Sequence, residues 1–177
     1  MSALVSFATK RLQVRGRAAL RSTPKGRRIL EAALADMFTP AVLAPLPDAL
    51  ALAKGTGAIA IWIAARDAES AVHTVTRKAD GKIIGLLILA GGVEPGTAPA
   101  IHLGYLFAET SWGKGFASEL VVGLTAVFET GPPLRLLAGV NTSDPASARV
   151  LEKAGFGRDG IRTGSVAFAK TVGGGAS

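Results

Sequence analysis

The sequence predicts an α/β fold, in the α+β sense of a mixed sheet with helices packed against it, on three observations. Stretches of strand-like alternation interchange with stretches of helical spacing along the chain. Apolar residues make up 49% of the sequence, enough for a sizeable core. The second half reads strand, turn, helix, strand, helix, the order of a right-handed crossover between parallel neighbours.

The elements follow in order. Residues 9–15 alternate, with Leu12 and Val14 between Arg and Gln, as in a partly exposed first strand. Thr23 and Pro24 open a helix, Thr at the cap and Pro at the first helical position. Ile29, Leu30, Ala33, Leu34, Met37 and Phe38 recur at helical spacing, and Pro40 stops them. Three prolines in 40–53 give a turn and a short helix. Residues 57–70 are helical, with Ile59, Trp62 and Ile63 on one side and Trp62 in the core. Strands 72–76 and 82–89 form a hairpin around Asp80-Gly81, a strong turn signal. A loop over 93–99 precedes strand 101–107, a glycine turn and a helix over 115–128. Pro132-Pro133 breaks the chain before strand 134–140 and helix 145–154, and 156–170 holds two short strands. No repeat or linker divides the chain, so 1–172 is expected to be one domain and 173–177 a flexible tail.

Composition narrows the chemistry. Cysteine is absent, which removes disulfides, thiolate metal sites and a cysteine nucleophile. The two histidines, His73 and His102, lie far apart in sequence, and no metal site is expected. The most apolar stretch, 83–93, is too short to span a bilayer, and 1–10 lacks the pattern of a leader. A cytoplasmic protein without membrane contact is the expectation. The net charge of +7 sits in one block. Residues 1–30 hold Lys10, Arg11, Arg15, Arg17, Arg21, Lys25, Arg27 and Arg28 and no acid, against twelve basic and thirteen acidic side chains elsewhere. Such a block attracts nucleic acid, an acidic protein or a phosphorylated ligand. No aromatic interleaves with it as in a single-strand binder, and the plainer reading is a solvated basic face.

Residues 101–156 carry the chemical signal. Strand 101–107 runs into a turn holding Gly113 and Gly115, which opens a helix. Glycines let a backbone approach a ligand closely. The first amides of a helix lack internal partners and carry the positive end of its dipole, which suits phosphate oxygens. Ser118 stands where the third glycine of G-x-G-x-x-G would be, and no G-x-x-x-x-G-K-S/T occurs, so two other phosphate loops are excluded. Further on, Asn141 closes a strand, and Ser143 or Asp144 caps a helix with Pro145 at its first position. That helix carries Ala148, Val150, Leu151 and Ala154 and ends at Gly155.

These two pieces resemble the acetyl-coenzyme A binding motifs of the GNAT superfamily of N-acetyltransferases. Trp112, Gly113, Lys114, Gly115, Phe116 and Ala117 are similar to its pyrophosphate loop, Q/R-x-x-G-x-G/A. Asn141, Ser147, Leu151, Glu152, Lys153, Gly155 and Phe156 match the pattern N-x-x-N-x-x-S-x-x-x-L-E-K-x-G-F. The run L-G-Y before W-G-K-G-x-A, and T-K-R-L-Q-V-R over 9–15, resemble the branch that acetylates ribosomal-protein N-termini and many unrelated amines. The resemblance implies a GNAT-like fold, a mostly antiparallel central sheet whose fourth and fifth strands, 101–107 and 134–140, are parallel and splay apart. It implies acetyl-CoA as cosubstrate. Pantetheine would lie along Tyr105, Leu106, Phe107 and Ala108. The pyrophosphate would sit on the amides of Gly113, Lys114, Gly115, Phe116, Ala117 and Ser118 beside Trp112, with Asn141 and Ser147 close by. Three positions depart from the pattern. Trp112 replaces Gln or Arg. Asp144 replaces the second Asn and is expected to cap its helix. The tyrosine that many relatives use as a general acid is missing, and Tyr105, inside a strand, is the one tyrosine present.

The implied partner is an amine, either a protein N-terminus or a small molecule, and a base must take its proton. His102 is the first candidate, since imidazole suits a base near neutrality and many relatives carry Glu there. The rival reading is a hydrogen-bonded structural histidine. Glu109, at the strand's end, and Glu119, expected to be solvated in the first helix turns, are weaker candidates. Ser147 either donates a proton near the sulfur, binds the cofactor or serves its own helix. Rival functions are a non-catalytic acyl-CoA-binding sensor or partner-binding module and a nucleic-acid binder. A homodimer and contact with nucleic acid or the ribosome through the basic block stay open.

Overall fold

The computed structural model describes residues 5–92 and 95–175. Val93 and Glu94 of the expected loop and Ala176 and Ser177 of the expected tail lie outside them. Phe7–Ala8 (β1) and Leu12–Gly16 (β2) form a hairpin with Phe7 opposite Val14. The first strand thus starts later than its alternation predicts. Residues 9–11 form the bend, where Thr9 N donates to Leu12 O at 2.9 Å and Leu12 N donates to Thr9 Oγ1 at 3.0 Å. A short helix, Ala18–Arg21 (α1), precedes Pro24–Met37 (α2). Thr23 Oγ1 accepts from Gly26 N at 3.0 Å and Pro24 takes the first helical position, the cap the sequence predicts. One face of α2 buries Leu30, Leu34 and Met37. Pro40–Leu43 (α3), a 3₁₀ turn over Asp48–Leu50 and Ala58–Glu69 (α4) follow.

The remaining strands are Ala71–Arg77 (β3), Ile83–Gly92 (β4), Ala100–Phe107 (β5), Leu134–Asn141 (β6), Gly157–Arg162 (β7) and Ser165–Val172 (β8). Phe116–Glu129 (α5) crosses between β5 and β6, and Pro145–Lys153 (α6) follows β6. Among the described residues the sheet has eight strands in the order β1-β2-β3-β4-β5-β6-β8-β7. The β5–β6 pair is parallel and the others are antiparallel. The two late strands form a hairpin whose second strand, β8, enters the sheet beside β6 along its whole length. The chain stays packed past β8. Gly174 N donates to Gly131 O at 3.0 Å, and a Cβ on Gly173 would collide with the Pro132 carbonyl. Gly173 and Gly174 therefore belong to the fold and not to a free tail.

Alternation along the strands sends side chains to two cores. On one face Leu120, Val121 and Leu124 of α5 and Leu151 of α6 pack on Val14, Val75, Leu87, Leu103, Leu136 and Phe168. On the other, α2, α3 and α4 cover β3, β4 and the end of β5 through Leu30, Leu34, Trp62, Val72, Leu86 and Leu106. Trp62 lies in this second core, as its spacing predicts, with its indole N–H on Leu50 O at 2.9 Å. The β6 residues on this face, Arg135, Leu137, Gly139 and Asn141, are half-buried or exposed. The second face is therefore open beyond β5. Of the basic block only Arg17 is buried, and its other seven basic residues are exposed. Arg17 is buried against Asp67, which Arg21 also reaches at 3.0 Å. Arg11 pairs with Glu119, and Arg27 and Arg28 donate to the carbonyls of Arg21 and Pro24.

Candidate active site

The site begins where two strands part. β5 and β6 pair only at Ala100↔Arg135, Ile101↔Leu136 and His102↔Leu137, while β5 stays paired with β4 as far as Phe107↔Gly85. Beyond His102 the strands diverge into a fork. In an antiparallel ladder, alternate residues turn both backbone groups toward the same neighbour. Ala108 N donates to Ile84 O at 2.9 Å, so Leu106 and Ala108 face β4 while Tyr105 and Phe107 face the fork. Trp112 Nε1 takes the Phe107 carbonyl at 2.9 Å. The open edge therefore offers the N–H and C=O of Tyr105 and the N–H of Phe107. This corrects the four-residue edge expected from sequence, because Leu106 and Ala108 give their backbone to β4 and their side chains to the second core.

Past β5, a 3₁₀ turn over Glu109–Ser111 leads into the glycine loop. Gly113 (φ +69°) and Gly115 (φ +78°) adopt left-handed backbone that side chains disfavour. Gly115 caps α5 without a side-chain acceptor, and the first helical bond runs from Glu119 N to Gly115 O at 3.1 Å. The amides of Phe116, Ala117 and Ser118 thus point out of the helix start without helical partners, an anion cradle reinforced by the dipole. Arg11 braces the loop from the β1–β2 bend. Its Nη1 donates to Lys114 O at 2.9 Å, its Nε to Glu119 Oε2 at 2.7 Å, and its guanidinium lies 4.4 Å from the Phe116 ring centre. Glu119 also accepts from Arg11 N at 2.7 Å and Thr9 Oγ1 at 2.5 Å. Burial pushes its carboxyl up, but the Thr9 and Arg11 hydrogen bonds outweigh that and hold it below the ordinary range. Glu119 is accordingly a locked anchor and not the solvated side chain expected from the sequence. Lys114 Nζ donates to Thr110 O at 2.6 Å. The role of Arg11 had no local signal, since its partners lie about a hundred residues downstream.

The third wall is the start of α6. Asp144 caps it as predicted, accepting from Ser147 N at 3.1 Å and from Ser147 Oγ at 2.6 Å. That bond directs the Ser147 proton to Asp144, which agrees with the local helix role among the three readings of Ser147. Asn141 Oδ1 accepts from Ser143 N at 2.9 Å and Ser143 Oγ at 2.8 Å, so Asn141 builds the β6–α6 turn and keeps only its amide NH₂ for a ligand. Tyr105 reaches across from β5, and its buried hydroxyl lies beside Ser147 and Asp144. Burial raises this phenol to about 12, with the neighbouring Ser147 opposing the shift and the Asp144 charge adding to it.

Residues 27–157 match the family described as Acetyltransferase (GNAT) domain. The chain belongs to the GNAT acetyltransferase family. Its activity is acetyl-CoA-dependent acyl transfer. No curated protein matches it. Several solved structures share the fold. A probable GNAT-family acetyltransferase from Chromobacterium violaceum has a TM-score of 0.73 at 20% identity, covering 96% of this chain and 87% of that one. Ribosomal-protein-S5-alanine acetyltransferase from Vibrio fischeri gives 0.64 at 17%, covering 94% and 96%. A ribosomal L7/L12 α-N-protein acetyltransferase in complex with coenzyme A gives 0.66 at 13%, covering 95% and 98%.

In this GNAT domain the three catalytic candidates do not converge. His102 stands at the apex of the fork, exposed on the open second face beside Gly104. Ser147 lies on the α5–α6 side, so the two flank the fork from opposite faces. Five strand residues carry β5 from His102 to Phe107, about 17 Å, and Glu109 sits beyond that, exposed at the far end of the fork. Glu109 thus lies at the strand's end, where the sequence reading has it, apart from His102. His73 is fully buried, accepting from Val5 N at Nε2 (3.0 Å) with Nδ1 3.3 Å from Leu87 O. Burial lowers its pKa despite the backbone hydrogen bonds, and its role is structural. Among the described residues no group of three or more His, Asp or Glu could hold a metal, and no helix is long and apolar enough to cross a membrane.

Proposed function

We propose that this acetyltransferase moves the acetyl group of acetyl-CoA to a primary amine by direct attack within a ternary complex. The observation that carries the reading is the fork. Its edge is open between a glycine-loop anion cradle on the α5–α6 side and an uncovered sheet face bearing His102 on the other. Left-handed glycines, uncapped amides at the start of α5 and an unpaired strand edge all suit coenzyme A. The amides of Gly113 to Ser118 would hold its pyrophosphate and the Tyr105 and Phe107 edge its pantetheine. When bound, it supplies an activated acetyl group.

On the open face His102 takes a proton from the incoming amine. An N–H of the open β5 edge polarises the thioester carbonyl and stabilises its developing negative charge. An α-amine, with a reference pKa near 8, gives its proton to imidazole far more readily than a lysine amine near 10.4. Two fold relatives are named as acetyltransferases of ribosomal proteins, which supports trying peptide N-termini first. Small-molecule amines come second. Calorimetric titration with acetyl-CoA, followed by mass spectrometry over a panel of peptides and amines, tests the reading. Micromolar binding with acetylation of a panel member is expected. A folded sample that binds no acetyl-CoA overturns it.

A further inference from the structure

The first two turns of α4 carry no polar side chain. Residues 58–65 are Ala, Ile or Trp throughout, and the first charge is Arg66. A helix that is apolar on every side is normally covered on every side. Here Trp62 turns into the second core with Arg66 buried beside it, while Ala60, Ile61, Ala64 and Ala68 form one exposed stripe. Ile61 in that stripe is 62% exposed. Next to the stripe a cleft of about 300 Å³ separates α4 from α2, lined by Leu30 and Ile63 and rimmed by Arg21, Arg27, Glu31 and Asp67. Two cations and two anions stand on this rim, although the chain as a whole carries +7. A nucleic acid or an anionic lipid surface selects an excess of cations. A balanced rim around an apolar stripe suits a surface of its own kind.

We propose that this face joins two copies of the chain, with α4 packed antiparallel on α4 of the partner across a two-fold axis at Ala64. With Ala64 at the axis, Ile61 of each copy lies over Ala68 of the other. A branched side chain then meets a small one, which lets the helices approach closely. The charges follow the same axis. Arg27 donates to the Arg21 carbonyl, and Arg21 pairs with Asp67, so Arg27 lies toward the C-terminal end of α4. Glu31 is one turn further along α2 and lines the cleft with Ala60, toward the N-terminal end of α4. The axis therefore faces Arg27 of one copy with Glu31 of the other. Among the described residues neither has an ion-pair partner in its own chain. The two helix dipoles also lie antiparallel, each end beside its opposite. Because α4 covers β3 and β4 and not the open face beyond β5, the fork and His102 take no part, and the proposal does not rest on the cofactor placement.

Sedimentation of the full chain at micromolar concentration tests the pairing. The wild type is expected to run as a dimer and Ile61→Asp as a folded monomer, its dissociation constant raised at least about 30-fold. A monomeric wild type overturns the proposal, whether its stripe then proves to bind lipid vesicles or nothing at all. A dimer that survives Ile61→Asp in folded protein uses another face and overturns it as well. If I61D does not fold, a single engineered cysteine replaces it, since the chain has none of its own. Two Cα atoms within about 7 Å of each other can close a disulfide. Mild oxidation should therefore link Ala64→Cys into covalent dimers, while Ala126→Cys on the exposed side of α5 stays unlinked. No preference for position 64 over position 126 overturns the proposal.

Discussion

At Gly115 the backbone carries φ +78°, and a Cβ there would come 3.5 Å from Arg11 Nη2. Space is therefore available, and aspartate tolerates left-handed backbone better than most residues. Gly115→Asp accordingly tests charge more than strain. A carboxylate beside the proposed pyrophosphate is expected to weaken acetyl-CoA binding at least ~10-fold, with a melting shift of only a few degrees. Calorimetry showing undiminished affinity in the folded variant would place the pyrophosphate elsewhere. His102 offers a cleaner separation of chemistry from fold. It is exposed, and its ring makes no hydrogen bond among the described residues, so its removal should leave stability intact. His102→Ala is expected to lower kcat by about 10²–10⁴-fold, the usual worth of a positioned base, with acetyl-CoA affinity nearly unchanged. If His102→Gln restores most of the rate, the ring is a spacer and the base lies elsewhere.

Between elements, the glycine loop is held by the β1–β2 bend as much as by α5. Gly123 of α5 packs so closely on Phe7 and Thr9 that a Cβ would meet them at 2.9 Å and 2.7 Å, which brings Thr9 and Arg11 onto Glu119. Because the folded Glu119 carboxyl titrates below its usual 4.5, its contribution to stability is full above pH 4.5 and fades as pH falls through the lower folded value. Glu119→Gln should therefore melt earlier than the wild type near neutrality, and the gap should narrow on acidification below 4.5. A gap constant down to pH 3 in a melting series would deny the carboxylate that role. What could be read from sequence divides along the same lines. The Thr23 and Asp144 caps, the glycine loop and the α2 face were legible because each depends on residues within a few positions of one another. The Arg11–Glu119 brace, the insertion of β8 beside β6 and the reach of Tyr105 to Ser147 were not, because strand order and long-range approach decide them. The fork itself came from family resemblance, for nothing in the alternation of 101–107 shows where its pairing ends.

At the scale of the whole molecule, the sheet separates two approaches to one fork. The α5–α6 side carries the anion cradle and the Tyr105 hydroxyl, while the open second face carries His102 and half-buried or exposed β6 residues. Two substrates that arrive from opposite sides can be bound together, and neither needs to leave before the other enters. The sequence has no cysteine, and among the described residues Ser147 is tied to Asp144 as a helix cap, so neither a thiol nor a free serine is offered to store the acetyl group between half-reactions. Initial velocities measured against both substrates should consequently give intersecting reciprocal plots. Incubation with acetyl-CoA alone should leave the protein mass unchanged. Parallel lines together with a mass gain of one acetyl group would mean an acetyl-enzyme intermediate. The two-sided ternary mechanism would then be wrong even with the cofactor bound as proposed, because the acetyl group would be stored on the chain before the amine arrived.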